Sequence, residues 1–227
     1  MKMRQVNIPV VRNILEANER LAAANRCRFE EAGLLTVNLM SSPGAGKTSL
    51  LERTIEHLAG ELRIAVIEGD IQSSYDAERI QKKGVQAVQI NTDGACHLDG
   101  NMVQQALIPL DLNNLDLLII ENVGNLVCPA EFNLGEHDKV MILSVAEGDD
   151  KPLKYPLMFQ LSSVLLINKI DLLPYIECSV PTIRERTRHL NPYQQVFEIS
   201  CRTGEGLDAW CQWLRNRLSE VRKNLNR

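Results

Sequence analysis

The sequence SSPGAGKTS at residues 41–49 combines two glycines with a lysine and a threonine, residue types that can bind a polyphosphate. It lies between the apolar run Leu34 to Met40 and an amphipathic stretch, so the pattern predicts a strand, a tight turn and a helix start. Gly44 and Gly46 let backbone N–H groups turn toward one point at the helix N-terminus, where negative charge is favoured. The segment therefore predicts a phosphate-binding P-loop.

The side chains of this segment have distinct predicted roles. Lys47 would place a positive charge on the β- and γ-phosphates, and the Thr48 hydroxyl would be a ligand of Mg²⁺. Ser41 replaces the first glycine of the general pattern G-x-x-x-x-G-K-S/T. The alternative is a glycine-rich turn that binds nothing. The residues predicted to contact the phosphates are Gly44, Ala45, Gly46, Lys47, Thr48 and Ser49.

A second motif, NKID at residues 168–171, indicates which base is bound. It follows a run of aliphatic residues, and the carboxyl ends of parallel strands are where open α/β sheets bind ligands. Asp171 can accept hydrogen bonds from the guanine N1–H and N2 amine, which adenine lacks, while Asn168 can bond the O6/N7 edge and Lys169 can cover the ring. The backbone of Ser200 and Cys201 would approach guanine O6. The alternative is a helix cap, but the position about 120 residues after the P-loop favours GTP over ATP.

Two other strand ends supply candidates for magnesium binding and hydrolysis. Asp70 can reach Mg²⁺ directly or through water, and Asp76 is the competing candidate. Glu121 can hold a metal-bound water, and the Gly124 N–H can sense the γ-phosphate. Because Asn125 follows and no glutamine is available to orient water, we expect slow turnover, about 10⁻⁴ to 10⁻³ s⁻¹. The predicted catalytic set is Lys47, Asp70, Glu121 and Gly124, and the predicted magnesium ligands are Thr48, Asp70 and Glu121.

Thiol and imidazole groups occur beside the same segments. Cys96 and His97 are adjacent after the third apolar run, and Cys128 follows the Gly124 loop. Thiolate and imidazole are ligands that Zn²⁺ and Ni²⁺ accept, and three ligands leave a position for water or a second subunit. The alternative is a pair of buried structural cysteines and a histidine that caps a helix. His137 is a further residue that could lie nearby.

The order of apolar runs predicts the fold. Strand-like runs alternate with helical patterns, as in a doubly wound α/β sheet that is mostly parallel with helices on both faces. Before the first strand, an apolar stripe at spacings of four and three predicts a helix that packs on the domain through that stripe. Its residues are Val10, Ile14, Ala17, Leu21 and Ala24. We therefore expect a helical segment at 1–33 and a nucleotide-binding domain at 34–227.

Composition limits the class of protein. The 227 residues are 44% hydrophobic and 24% charged, which suits one compact α/β domain. No apolar run reaches the roughly 18 residues of a membrane span, so we expect a cytoplasmic protein that does not bind membranes. The net charge of −4 argues against nucleic acid as a partner. The six cysteines have no spacing typical of a disulfide framework.

Taken together, the motifs resemble one family. The P-loop string, EGD at 68–70, Cys96-His97, ENVGNLVCP at 121–129 and EGDDKPLKYP at 147–156 are similar to HypB, the nickel-insertion GTPases of nickel–iron hydrogenase maturation. The likeness covers nearly the whole chain, and a serine in the first P-loop position also fits this family. It implies a P-loop NTPase fold of the SIMIBI type.

The resemblance also implies a function. A HypB protein would be a GTP-dependent homodimer whose metal site uses Cys96, His97 and Cys128 and passes nickel to the hydrogenase large-subunit precursor with the partner HypA. The chain departs from some members, because it has neither their cysteine motif nor their histidine-rich tract before the nucleotide-binding domain. Two alternatives remain: the related urease nickel GTPase, and a metal-free regulatory GTPase with inert cysteines. The sequence leaves open whether Zn²⁺ or Ni²⁺ is bound.

Overall fold

The described strands form a single sheet. The computed structural model describes residues 10–70, 80 and 82–225, and Asp76 lies outside them. The strands are β1 Leu35–Ser41, β2 Ile64–Asp70, β3 Gln86–Asn91, β4 Leu117–Glu121, β5 Asp138–Ser144, β6 Val164–Asn168 and β7 Gln195–Glu198. In this part of the chain they pair in parallel in the order β3-β2-β4-β1-β5-β6-β7. The predicted doubly wound parallel sheet is confirmed.

Helices connect the strands and cover both faces of the sheet. They are α1 Val10–Glu31, α2 Lys47–Leu58, α3 Gly100–Ala106, α4 Cys128–Glu131, α5 Lys151–Lys154, α6 Pro156–Leu161, α7 Val180–Leu190 and α8 Leu207–Leu225. Short 3-10 turns occur at Leu112–Asn114, Val145–Glu147 and Ile170–Tyr175. None of the helices in the described residues is both long enough and apolar enough to cross a bilayer.

Alternating side chains of each strand enter different cores. On one face, residues such as Val37 pack with Leu50 of α2 and Trp210 of α8. On the other face, Phe29 of α1 joins the core that contains residues of β2 and β4 and of α3. Further along this second face, α6 and α7 cover β5 and β6. The carboxyl ends of the strands are left open, which is where the predicted ligand loops lie.

The packing of α1 differs from the sequence prediction. Ile14 is 53% exposed, and Ala17 and Ala24 are also exposed. The buried face instead carries Asn18, Ala22, Asn25 and Phe29. The helix packs on the domain as predicted, but the predicted face was wrong because it was chosen by apolarity. The two asparagines can be buried because their side chains form hydrogen bonds with main-chain groups of other segments. The division of the chain at residue 33 stays a proposal, since α1 contacts α3, α8 and β1.

Candidate functional site

The loop between β1 and α2 has the backbone of a phosphate-binding turn. Gly44 and Gly46 have φ values of +75° and +109°, which favour glycine, and Gly46 is the N-cap of α2. A Cβ on Gly46 would lie 2.5 Å from the Asn168 side-chain nitrogen, so this position also excludes any larger residue. The loop and the N-terminus of α2 line a cavity of about 500 Å³. A polyphosphate in this cavity would meet the positive end of the helix.

Lys47 is the first residue of α2, directly after this loop. It is 9% exposed, and its Nζ donates a hydrogen bond to the Ser41 Oγ at 3.0 Å. The same Ser41 hydroxyl donates to the Ser42 carbonyl oxygen at 2.6 Å. The serine that replaces the first glycine of the motif therefore orients the lysine, so its side chain contributes to the site.

Three oxygen-bearing side chains meet beside the P-loop. The Thr48 hydroxyl donates to the Glu121 Oε1 at 3.1 Å. Glu121 pairs in register with Glu68 of β2, and both carboxylates are buried and line the same cavity. Hydroxyl and carboxylate oxygens are the ligands that Mg²⁺ prefers, so this donor set fits that ion. Asp70 ends β2, and its side chain lies outside what the structure describes.

Glu68 was missed by the sequence analysis, which took Asp70 as the acidic ligand of this strand. A usable signal was present, because a glutamate within the apolar run Ile64 to Gly69 is rarely buried without a polar role. Only the parallel register with β4 brings Glu68 beside Glu121.

Gly124 lies directly against the P-loop. A Cβ at this residue would approach Pro43 to within 3.1 Å of its Cγ and 3.2 Å of its Cα. Val123 and Gly124 line the same cavity as Lys47 and Thr48. A ligand in this cavity would therefore contact the segment that follows β4 and could shift it.

Four of the five residues predicted to bind guanine line an adjoining cavity of about 310 Å³, and Ser200 is the exception. Asp171, Cys201 and Lys169 are among its lining residues. The Ser200 hydroxyl donates to the Asp171 Oδ1 at 2.6 Å, which fixes the carboxylate. Lys169 has a left-handed backbone with φ of +63°, and its Nζ donates to the Gly44 carbonyl oxygen at 2.7 Å. Burial raises the pKa of the Cys201 thiol to about 11, so the thiol is neutral at pH 7.

Asn168 is placed as a bridge between the two loops. Its Nδ2 donates to the Ala45 carbonyl oxygen at 2.9 Å. Its Oδ1 accepts from the Lys169 N–H at 2.7 Å and from the Cys201 N–H at 3.3 Å. The residue is 1% exposed. The amide therefore joins the P-loop to the loops predicted to bind the base, a role that the sequence motif did not indicate.

Cys96, His97 and Cys128 are brought together by the fold. Their ligand atoms all lie within 4.8 Å of one another. The Cys96 Sγ lies 2.9 Å from the Cys128 Sγ and 3.5 Å from the His97 Nδ1, and both cysteines are free. Two sulfurs and one imidazole nitrogen at these separations fit a thiophilic divalent ion with an open position.

The surroundings tune these three groups. The His97 ring lies against the Phe132 ring, with the centroids 3.8 Å apart and the ring planes tilted by 31°. Burial lowers the pKa of His97, while the Asp99 carboxylate opposes this shift; the lowered pKa favours the neutral imidazole, the form that can donate a lone pair. The Cys96 thiol raises the pKa of Cys128, so a metal ion would displace a proton on binding.

Two asparagines join the group of Cys96, His97 and Cys128, called the metal cluster below, to the nucleotide cavity. The Asn122 Oδ1 accepts from the Leu98 N–H at 3.1 Å and from the Val123 N–H at 2.9 Å. The Asn125 Nδ2 donates to the Cys96 carbonyl oxygen at 3.2 Å. The segment 121–128 thus contacts the nucleotide cavity at its start and carries the Cys128 thiol, a candidate metal ligand, at its end.

His137 does not lie near this cluster, and that suggestion was wrong. It lies directly before β5, and its Nδ1 accepts a hydrogen bond from the Thr36 N–H at 3.1 Å. Burial lowers its pKa to about 3, and Arg26 and Arg217 add to the shift. Since β5 runs parallel to β1, the start of β5 lies at the edge of the sheet opposite the ligand loops.

Comparisons with known proteins agree with this geometry. The family described as "CobW/HypB/UreG, nucleotide-binding domain" matches residues 35–198. "Hydrogenase maturation factor HypB" of Azotobacter vinelandii is 52% identical over 218 residues, covering 96% of this chain and 72% of the relative. This chain belongs to the HypB family. The "Probable hydrogenase maturation factor HypB" of Methanocaldococcus jannaschii is 38% identical to this HypB-family chain, covering 95% of it and 97% of the relative.

Solved HypB structures are also similar. HypB from Helicobacter pylori in complex with nickel superposes with a TM-score of 0.86 at 40% identity, covering 90% of this chain and 96% of that one. HypB from Archaeoglobus fulgidus gives a TM-score of 0.84 at 39% identity, covering 89% and 99%. The family indicated by the sequence motifs is therefore confirmed.

Proposed function

We propose that this chain is a slow GTPase that acts as a metallochaperone and assists nickel insertion into a nickel–iron hydrogenase precursor. The proposal rests on one observation: the segment 121–128 extends from the nucleotide cavity to the cluster of Cys96, His97 and Cys128. The nickel-bound HypB from Helicobacter pylori supports Ni²⁺ as the cargo. Zn²⁺ suits the same ligands.

GTP is the proposed substrate. Asp171 is fixed by Ser200 at the rim of the base cavity, where a carboxylate matches the two donors of guanine. Adenine offers no such pair, so its binding would lose both of these hydrogen bonds to the carboxylate. We assign Lys47 to the β- and γ-phosphates and Gly124 to the γ-phosphate.

For magnesium we assign Thr48 and Glu121, with Asp70 as a further candidate and Glu68 as an addition from the structure. The ion would neutralise charge on the transferred phosphate. Glu121 would hold a water in the cavity, while Lys47 stabilises charge that develops on the phosphate oxygens. Asn125 is engaged with Cys96 and Val127, so it does not replace a water-orienting glutamine, which is consistent with slow hydrolysis.

We further propose a homodimer through the surface beside the metal cluster. Val127 is 56% exposed, and Leu153, Leu157 and Leu161 are exposed at four-residue spacing on α5 and α6. Helix α4, which begins at Cys128, contacts α6, the helix that carries Leu157 and Leu161. An exposed apolar patch of this kind is typical of an interface. A second copy could also complete the coordination of a metal that has three ligands here.

The acidic and basic segment at 149–154 is a further candidate for this interface. Lys154 pairs with Asp150 at 2.5 Å, and the Lys151 Nζ lies 5.6 Å from the Tyr155 ring centroid. Both lysines stay candidates for contacts across the dimer. A HypA-like nickel chaperone and the hydrogenase large-subunit precursor are the proposed partners, and the cytoplasm is the proposed location.

The related urease-type GTPase and a metal-free regulatory GTPase are the competing functions. Nickel binding measured by calorimetry, with GDP and with a non-hydrolysable GTP analogue, separates them. We expect binding that differs between the two nucleotides and is lost in Cys96→Ala and Cys128→Ala, because the metal and the γ-phosphate share one segment. Cys27→Ala, which removes an exposed cysteine of α1, is the matched control. Full metal stoichiometry in both cluster variants would contradict the proposal.

A further inference from the structure

The buried face of α1 carries two asparagines whose partners are main-chain groups. Asn18 is 5% exposed and Asn25 is fully buried. Burying an amide is costly unless it is hydrogen-bonded, so the identity of its partners shows what the helix stabilises. Neither residue was singled out by the sequence motifs.

Each asparagine joins the same two segments of the chain. The Asn18 Oδ1 accepts from the Gly100 N–H at 2.7 Å, and its Nδ2 donates to the Asn133 carbonyl oxygen at 2.8 Å. The Asn25 Nδ2 donates to the Gly100 carbonyl oxygen at 2.8 Å and to the Leu134 carbonyl oxygen at 3.1 Å. Helix α1 therefore bridges the start of α3 and the chain after α4.

These two segments carry all three groups of the metal cluster. Gly100 follows shortly after Cys96 and His97, while Asn133 follows Cys128 and Phe132. The two segments also meet directly, because the Phe132 ring packs against the His97 ring. The distance between the segments, and with it the separation of the two thiols, is therefore set partly by α1.

Glycines let both segments approach the backbone of the helix closely. A Cβ on Gly100 would lie 3.0 Å from the Ala22 nitrogen. Gly135 has a φ of +97°, and a Cβ there would lie 2.7 Å from the Ala22 carbonyl oxygen. Because both segments pack this closely against the helix backbone, we expect the loss of one asparagine to change the relative position of the two segments.

We propose that Asn18 and Asn25 are positioning residues of the metal site, which hold the Cys96–His97 segment and the Cys128 segment at the separation that a divalent ion requires. This inference rests on the proposed metal-binding function. Residues that orient ligands from outside the coordination sphere typically change metal affinity by 10- to 100-fold when replaced. We expect a loss of about tenfold in nickel affinity for each single alanine variant, because the second asparagine remains.

Nickel affinity is measured by competition with a chelator for the full chain, for Asn18→Ala and for Asn25→Ala. Asn191→Ala is the matched control, since its side chain also joins separate segments, donating to the Gln160 and Ser162 carbonyl oxygens away from the cluster. The control should lose stability but keep nickel affinity. GDP affinity should change less than about twofold in all three variants, because none of these residues lines the nucleotide cavities.

A second measurement needs no metal. In the presence of reduced and oxidised glutathione, the equilibrium for forming a Cys96–Cys128 disulfide reports how closely the two thiols are held. In a Cys27→Ser and Cys178→Ser background, Asn18→Ala should lower this equilibrium constant several-fold, and Asn18→Ser, which keeps a hydroxyl on the helix, should give an intermediate value.

The outcomes distinguish the two proposals. If the unmodified chain does not bind nickel, the proposed function fails, while the disulfide equilibrium still tests the positioning role. If the chain binds nickel but the variants match it in both affinity and disulfide equilibrium, the positioning role is refuted. An equal loss of nickel affinity in Asn191→Ala would also refute it, because general destabilisation would then account for the effect.

Discussion

Replacing Asn168 by alanine should damage both the stability of the protein and its nucleotide binding. The side chain makes three hydrogen bonds, to the Ala45 carbonyl oxygen and to the N–H groups of Lys169 and Cys201. It is 1% exposed, so water cannot readily replace the lost partners. The variant therefore uncouples the P-loop from the loop that would meet the base.

The expected magnitude follows from these contacts. A net contribution of roughly 1 kcal/mol for each hydrogen bond gives a loss of about 2 to 4 kcal/mol in the free energy of unfolding, since buried groups are left unsatisfied. GDP affinity should fall by at least about tenfold, or about 1.4 kcal/mol, because the Asn168 amide holds the loops of both cavities in place. The free energy of unfolding is measured by urea denaturation without nucleotide, and the affinity by calorimetry.

Asn191→Ala provides the comparison for this effect as well. Asn191 also makes three hydrogen bonds, donating to Gln160 and Ser162 and accepting from the Tyr193 N–H at 3.1 Å. It should lose stability without losing GDP affinity. The reasoning is refuted if Asn168→Ala keeps normal GDP affinity at a temperature where it is folded, or if Asn191→Ala weakens GDP binding equally.

Three other changes test separate parts of the site. Asp171→Asn should reduce GDP affinity and favour xanthosine diphosphate, because the donor and acceptor pattern at the base is inverted; competition binding that still prefers GDP would contradict the base assignment. Lys47→Ala should lower GTP hydrolysis by on the order of a hundredfold with the fold intact by circular dichroism, and unchanged turnover would exclude the P-loop role. The Arg63 guanidinium, with Arg222, holds the pKa of the Asp116 carboxyl well below its usual range. This ion pair therefore stabilises the fold at neutral pH and is lost as the pH falls below about 4. Asp116→Asn should lower the free energy of unfolding by about 2 kcal/mol at pH 7, and no more, because the two arginines are half exposed to water. The difference in stability between the variant and the unmodified chain should decrease in acid. A pH-independent difference in urea denaturation would argue against the ion pair.

Several features of this protein follow from local sequence. The apolar runs Leu34 to Met40 and Ile64 to Gly69 coincide with β1 and β2 to within one residue at each end, because buried parallel strands require continuous apolar side chains. The P-loop glycines have the positive φ values that the motif requires. Such signals are local, since backbone conformation and side-chain type act within a few residues.

Other features depend on the tertiary structure, because they join residues that are far apart in sequence. The apolar stripe of α1 indicated the wrong face, since the partners of Asn18 and Asn25 lie on segments beyond residue 99. Glu68 reaches the site only through the register of β2 with β4, and His137 is kept at the opposite edge by the direction of β5. The sequence by itself indicated most of the groups that could bind a nucleotide and a metal, but not Glu68. The sheet order and the packing of α1 decided which of those groups meet, because hydrogen bonds and close packing between distant segments leave no periodic pattern in the chain.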